Sequence, residues 1–175
     1  MRLWLLIALC FSFGLVPREA HAGTQQLESQ AAATIKAFLR TDPGLKAFFN
    51  RAHGYAVFPK VAKGGLIIGG AYGEGLVFVK RKLVGKCRLK QLTVGLQIGG
   101  QSYSQIVFFK SAAAFDRFKK GDLEFGAQAS AVALDAGAGT SVDDDDGVAV
   151  FTLALGGLMY EASLSGQVLS YQPLP

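Results

Sequence analysis

A chain of 175 residues, half of them hydrophobic and with a formal charge of +5, is long enough for one domain with a sizeable core. Two histidines and two cysteines exclude a zinc site built from several imidazoles and a disulfide-stapled scaffold. The modest basic excess suits an anionic partner without requiring one.

The chain begins like an export signal. Arg2 precedes an apolar run from Leu3 to Val16, and Ala20-His21-Ala22 follows as an A-x-A cleavage site. The run is short for a membrane span. Residues 1–22 are therefore expected to be a signal peptide, and residues 23–175 a single domain. That domain is expected in the periplasm or outside the cell, peripheral to a membrane. Cys10 lies inside the apolar run with Leu9 before it, where lipidation wants a small residue, so no lipid anchor is expected there. Once the leader is gone, Cys87 is the one cysteine. It can be buried or can pair between chains, and its strand-like surroundings favour burial.

Two helices come first. Leu27, Ala31, Ile35, Phe38 and Leu39 recur at helical spacing over Leu27–Leu39. Asp42 can cap a second helix with Pro43 at its first position, and Gly54 is placed to end it. Strands then follow at Tyr55–Phe58, Leu66–Ala71, Leu76–Lys80, Leu89–Gly99 and Tyr103–Phe109. Thr93, Gly95, Gln97 and Gly99 alternate with apolar neighbours, which is period two. Ser111–Lys120 returns to helix, with Ser111 as cap. Three more strands are read at Leu123–Leu134, Val148–Leu155 and Leu158–Tyr171. Gly137–Gly147, which holds Asp143 to Asp146, reads as an exposed turn.

Short turns between many strands favour antiparallel pairing. Small residues on one face and apolar residues on the other predict curvature. The expected class is α+β: a strongly curved antiparallel sheet or partly closed β-barrel, with two N-terminal helices and one inserted helix.

The stretch GYAVFPKVAKGGLIIGGAYGEG is the most informative. Six glycines fall in the twelve residues from Gly64 to Gly75, although Leu66, Ile67 and Ile68 are strand formers. Glycine weakens a strand, so its use here implies that a second backbone, a bulge or a ligand lies close. A dinucleotide loop needs a helix after its glycines, and here Leu76-Val77-Phe78-Val79 reads as a strand. Nucleotide binding is not expected, nor is nucleic acid.

This stretch resembles the signature of the SYLF lipid-binding domain family, also called the Ysc-type actin-regulator family. Phe58, Pro59, Lys63, Gly64, Gly69, Gly70, Gly73 and Gly75 match its first block. Gly95 to Gly99 followed by Gln101 is similar to its second block. Gly156 and the run from Tyr160 to Gly166, with Leu164, look like its closing block. The resemblance covers Leu27 to about Val168 and implies binding rather than catalysis. Eukaryotic relatives bind phosphoinositide-rich membranes, and some bundle actin; bacterial relatives are exported proteins or lipoproteins. This chain departs from the eukaryotic pattern in its signal peptide, its lack of an SH3 domain and its shortened middle, which carries no tryptophan. Actin binding is therefore not expected.

Lys80, Arg81, Lys82, Lys86, Arg88 and Lys90 place six positive charges in eleven residues without an acid. If the flanking strands pair as a hairpin, these charges gather around its turn. There they can meet anionic headgroups, each contributing on the order of 1 kcal/mol, or serve only as a solvated turn. Lys60 and Lys63 flank the signature and can hold an anion or simply cap a strand end. The first helix can pack on the sheet or lie in a membrane interface. Asp143–Asp146 lacks the spaced ligands of a calcium loop, and Glu74 is a lone carboxylate without a visible partner. No serine–histidine–acid grouping stands out.

These features predict no catalytic residue, no metal and no cofactor. The expected function is an exported module binding anionic phospholipid or a membrane surface. A structural envelope protein acting through protein contacts is the alternative.

Overall fold

The computed structural model describes residues 18–65, 68–94, 101–121, 123, 130–133, 147–155, 162–163 and 166–174. Helix α1 spans Arg18–Thr41 and α2 spans Leu45–Arg51. Strands β1 (Gly54–Gly65), β2 (Ile68–Val79), β3 (Lys82–Val94) and β4 (Gln101–Phe109) follow. Helix α3 (Ala112–Lys120) precedes β5 (Ser130–Ala133), β6 (Val148–Ala154), β7 (Ala162–Ser163) and β8 (Gln167–Pro173).

The strand order is β7-β5-β6-β4-β1-β2-β3-β8. The six strands from β6 to β8 pair antiparallel, while β5 lies parallel to β6 and carries β7. This overturns the expectation of a strongly curved sheet or partly closed barrel. The order is linear, β7 and β8 each have one neighbour among the described residues, and the sheet stays open. Closure is unnecessary because helices cover both faces. The α+β class and the three helices stand.

Alternation explains the two layers. Tyr55 and Val57 of β1, Ile106 and Phe108 of β4, and Ala149 and Phe151 of β6 pack against Ala31, Phe38 and Leu45 of α1 and α2. Their chain neighbours Ala56, Phe58, Val107, Phe109, Val148 and Val150 pack on the opposite side with Phe115 and Phe118 of α3. Phe48 of α2 meets the Phe151 ring edge-on at 4.9 Å, and Phe118 of α3 stacks on Phe109 at 4.6 Å. Such pairs contribute roughly 0.5–1.5 kcal/mol beyond the area they bury. Ser111 caps α3 by accepting from the Ala114 amide, and Gly121 ends it in the left-handed conformation.

The Phe58-Pro59 pair is a β-bulge. Val57 pairs with Leu76, but Lys60 pairs with Glu74, so two residues of β1 oppose one of β2; the register with β4 slips as well. A proline cannot donate to a central ladder, and a bulge is where it fits. The Ser104 hydroxyl donates to the Pro59 carbonyl at 2.8 Å. The extra residue exchanges the two faces of the strand beyond it. Val61 turns inward and is fully buried, while Lys60 turns out to solvent.

The glycines of β2 make room for neighbouring side chains. A Cβ on Gly75 would stand 2.6 Å from the Val57 carbonyl oxygen, 2.8 Å from the Phe58 ring and 2.9 Å from Cys87 Sγ. One on Gly73 would stand 2.8 Å from Val61 Cγ2. The close approach anticipated for this strand is therefore that of the bulged β1 and of the β3 core residues.

Several boundaries differ from expectation. Asp42 does not cap α2: its carboxylate accepts from the Gly44 amide at 2.7 Å, and Gly44 is the cap residue. Gly54 opens β1 instead of ending α2, because a Cβ there would meet the Phe78 carbonyl at 2.8 Å. The two strands read within Leu66–Lys80 are one, since glycines that admit a neighbour do not interrupt a ladder. Leu158–Tyr171 divides into β7 and β8. The apolar leader, Cys10, Leu66, Ile67, the block Gly95–Gly99, most of the closing block and Asp143–Asp146 lie outside the described residues.

Candidate functional site

The basic residues sort by strand geometry. Val79 pairs with Lys82, leaving Lys80 and Arg81 as a two-residue hairpin turn. Both have positive φ, 49° and 65°, as a type I′ turn demands. Non-glycine residues in that conformation cost about 1–3 kcal/mol each, so something nearby must hold them. Arg81 Nη2 donates to Asn50 Oδ1 of α2 at 2.8 Å, which fixes the tip against the helix.

The other cations do not gather around this turn, contrary to expectation. The turn is complete by Lys82, and β3 carries Lys86, Arg88 and Lys90 away along its length. Lys82 and Lys90 are about 27 Å apart along a strand rising about 3.4 Å per residue. Lys86, Arg88 and Lys90 alternate with Cys87, Leu89 and Gln91, which are buried. The three cations therefore occupy the face that α1 begins to cover. Lys86 Nζ reaches Thr24 Oγ1 of α1 at 2.7 Å, whereas Arg88 and Lys90 lie exposed.

Beyond α1 this face presents a mixed patch. Cross-strand register sets Lys60, Glu74, Arg88 and Ser170 in one row across β1, β2, β3 and β8. Ala62, Tyr72, Lys90 and Val168 form the next row, with Leu92 beyond Lys90 on β3. Tyr72 is 47% exposed, Leu92 71% and Val168 45%. Glu74 Oε1 accepts from the Tyr72 hydroxyl at 2.9 Å and sits 3.5 Å from Arg88 Nε. The Glu74 bond raises the Tyr72 phenol above its ordinary pKa. Lys63 is not part of this patch: two residues from Val61, it shares the α3 side and is half-buried.

A groove of about 650 Å³ runs between Gly23, Thr24 and Leu27 of α1 and residues of β2, β3 and β8. Its cations are already engaged, Lys86 by Thr24 and Arg88 by Glu74. A smaller cleft of about 480 Å³ lies between α1, α2 and the hairpin tip, lined by Ile35, Leu39, Phe49, Tyr55, Lys46 and Arg81 among others. Sequence reasoning did not anticipate it, because its walls come from four separate elements.

It also missed a buried polar cluster on the α3 side. Gln167 Nε2 donates to the Tyr103 hydroxyl at 3.3 Å and to Gln91 Oε1 at 3.4 Å; Gln105 Nε2 donates to Gln167 Oε1 at 3.2 Å. Burial pushes the Tyr103 phenol up to about 12, with the Gln167 bond acting the other way. Glutamines at alternate strand positions were the available signal. Cys87 is buried as expected, and burial pushes its thiol well above the ordinary range, so it is a core residue rather than a nucleophile. Among the described residues no cluster of three metal-ligating side chains occurs, and no helix is long and apolar enough to cross a membrane.

Comparison with known proteins bears on residues 90–173, which match the family described as "Ysc84: Las17-binding protein actin regulator". The chain is also 29% identical, over 154 residues, to Beta cell expansion factor A of Aeromonas veronii. That alignment covers 87% of this chain and 58% of the relative's length.

Proposed function

We propose, from the membership of residues 90–173 in the Ysc84/SYLF family of non-catalytic lipid-binding domains, that this protein is an exported module that docks on an anionic membrane surface. The observation that carries the reading is the end of the α1 face that no described helix covers. Tyr72, Leu92 and Val168 stand there beside Lys60, Arg88 and Lys90, with Glu74 as the one acid in these rows. An amphipathic aromatic and two aliphatic side chains suit the headgroup boundary, and each nearby cation contributes on the order of 1 kcal/mol against an anionic leaflet. The leader layout of Arg2, Leu3–Val16 and Ala20-His21-Ala22 supports export to the periplasm or the medium.

Co-sedimentation with vesicles tests this, using the full chain expressed with its own leader and purified as the cell leaves it. Binding to phosphatidylglycerol-containing vesicles, weakened by salt and much weaker on phosphatidylcholine alone, is expected. Equal and negligible binding to both overturns the reading.

A second reading, an envelope protein assembling through protein contacts, draws on β8. Its outward edge has no strand partner among the described residues, and Gln167–Pro173 carries no charge to discourage pairing. A concentration-independent monomer in sedimentation equilibrium counts against it.

A further inference from the structure

The cleft beside the hairpin tip combines features that the docking face lacks. Ile35 and Leu39 of α1, Phe49 of α2 and Tyr55 of β1 give it apolar walls. Lys46 and Arg81 supply two cations, and among the described residues no carboxylate lines it. Its volume of about 480 Å³ falls in the lower part of the range of small-molecule pockets. Two long acyl chains with a headgroup exceed that space, whereas one chain fits.

Arg81 is held over this cleft by design of the backbone. The left-handed turn at Lys80 and Arg81 aims the tip at α2, and the Asn50 bond locks the guanidinium there. Tyr55 also lines the cleft; burial raises its phenol above the ordinary pKa, with the Arg81 guanidinium acting the other way. A rigid cation at the rim of an apolar slot is complementary to a molecule with a single anionic end and a hydrocarbon tail.

We infer that the cleft between α1, α2 and the β2–β3 turn binds a single-chain anionic amphiphile of the fatty-acid class. Its carboxylate lies between Arg81 and Lys46, and its chain lies along Ile35, Leu39 and Phe49. The site deepens the lipid-binding reading and rests on it for the class of ligand. It is separate from the docking face at Tyr72, Lys90 and Leu92.

Isothermal titration with dodecanoate below its micelle concentration tests the inference, with dodecanol as the uncharged arm. The purified full chain is expected to bind dodecanoate at least tenfold more tightly than dodecanol. Arg81→Gln and Lys46→Gln are each expected to weaken dodecanoate about five- to tenfold and to leave dodecanol unchanged. Should Arg81→Gln fail to fold, Lys46→Gln carries the comparison alone. Dodecanoate binding absent from the parent protein, or equal in the parent and the folded variants, overturns the inference. Vesicle co-sedimentation of the same parent preparation separates the two proposals. Vesicle binding without dodecanoate binding removes the cleft alone, and loss of both removes the lipid-binding reading as well.

Discussion

Replacing Gly75 by alanine tests the packing argument most directly. The added methyl would lie 2.6 Å from the Val57 carbonyl oxygen, 2.8 Å from Phe58 Cδ1 and 2.9 Å from Cys87 Sγ. Carbon atoms are comfortable at about 3.5–4.0 Å, so the Phe58 ring must retreat by roughly 0.7–1.2 Å. It has no room, because its exposure is 0%. The carbonyl belongs to the ladder next to the bulge and cannot rotate aside. Overpacking costs about 1–3 kcal/mol, and three simultaneous contacts put Gly75→Ala near the top of that range. At about 2–4 °C per kcal/mol for a chain of this size, the midpoint should fall roughly 6–12 °C. Gly64→Ala is the control, since a Cβ there meets nothing within 4 Å. It should be neutral or stabilise by a few tenths of a kcal/mol, roughly. Thermal unfolding followed by circular dichroism reads both. A Gly75→Ala midpoint equal to that of the parent, or losses equal at the two sites, would refute the reasoning.

On the docking face, Lys90→Gln should weaken binding to phosphatidylglycerol vesicles about fivefold and flatten its salt dependence. Leu92→Ser should weaken it while leaving the salt dependence intact; vesicle titration at several salt concentrations tells the two apart. An unfolded tyrosine ionises near pH 10, whereas folded Tyr103 holds its proton to about 12. Its contribution to stability is therefore complete below about pH 10 and is lost as pH rises through about 12, a loss of about 2–3 kcal/mol. Urea unfolding across that window should show the decline, and Tyr103→Phe should make it markedly shallower throughout. The rest belongs in part to the Cys87 thiol, which burial also raises. In the folded protein Cys87 should react with a thiol reagent only as fast as the chain unfolds; rapid labelling under native conditions would place it at the surface instead.

The sequence made local signals legible where one residue does one job. Ser111 reads as a cap because its side chain meets the Ala114 amide, and Ala114, Phe115 and Phe118 mark the buried face of α3. Tyr103–Phe109 and Val148–Leu155 are runs rich in aromatic and aliphatic residues, and strands β4 and β6 form there. What escaped notice depended on the third dimension. The turn at Lys80 and Arg81 lacks the glycine or asparagine that announces its type, so the sequence does not mark where the hairpin reverses and the cations read as gathered around its turn. Yet the alternation of Lys86, Arg88 and Lys90 with Cys87, Leu89 and Gln91 was a period-two pattern in plain view. The bulge at Phe58-Pro59 shifts the phase of β1, and no window of constant period can register that. Openness of the sheet was illegible because it depends on which side of each strand the helices choose. The cleft at Arg81 was hidden for the same reason: its walls are assembled from residues far apart in the chain.

The central position of β1 and β2 separates two ideas of a unit. The stretch that matches the family starts at Lys90, partway along β3, and therefore omits both strands that join β4 to β3. A polypeptide beginning there would keep β6 with β4 and the remainder of β3 with β8 as two detached ribbons. Neither ribbon would have the middle against which α1 and α2 close. The stretch matched to the family is thus smaller than the sheet it belongs to. Any truncation intended to test the proposed docking face has to reach back at least to Gly54, and to α1 if the second layer is to survive.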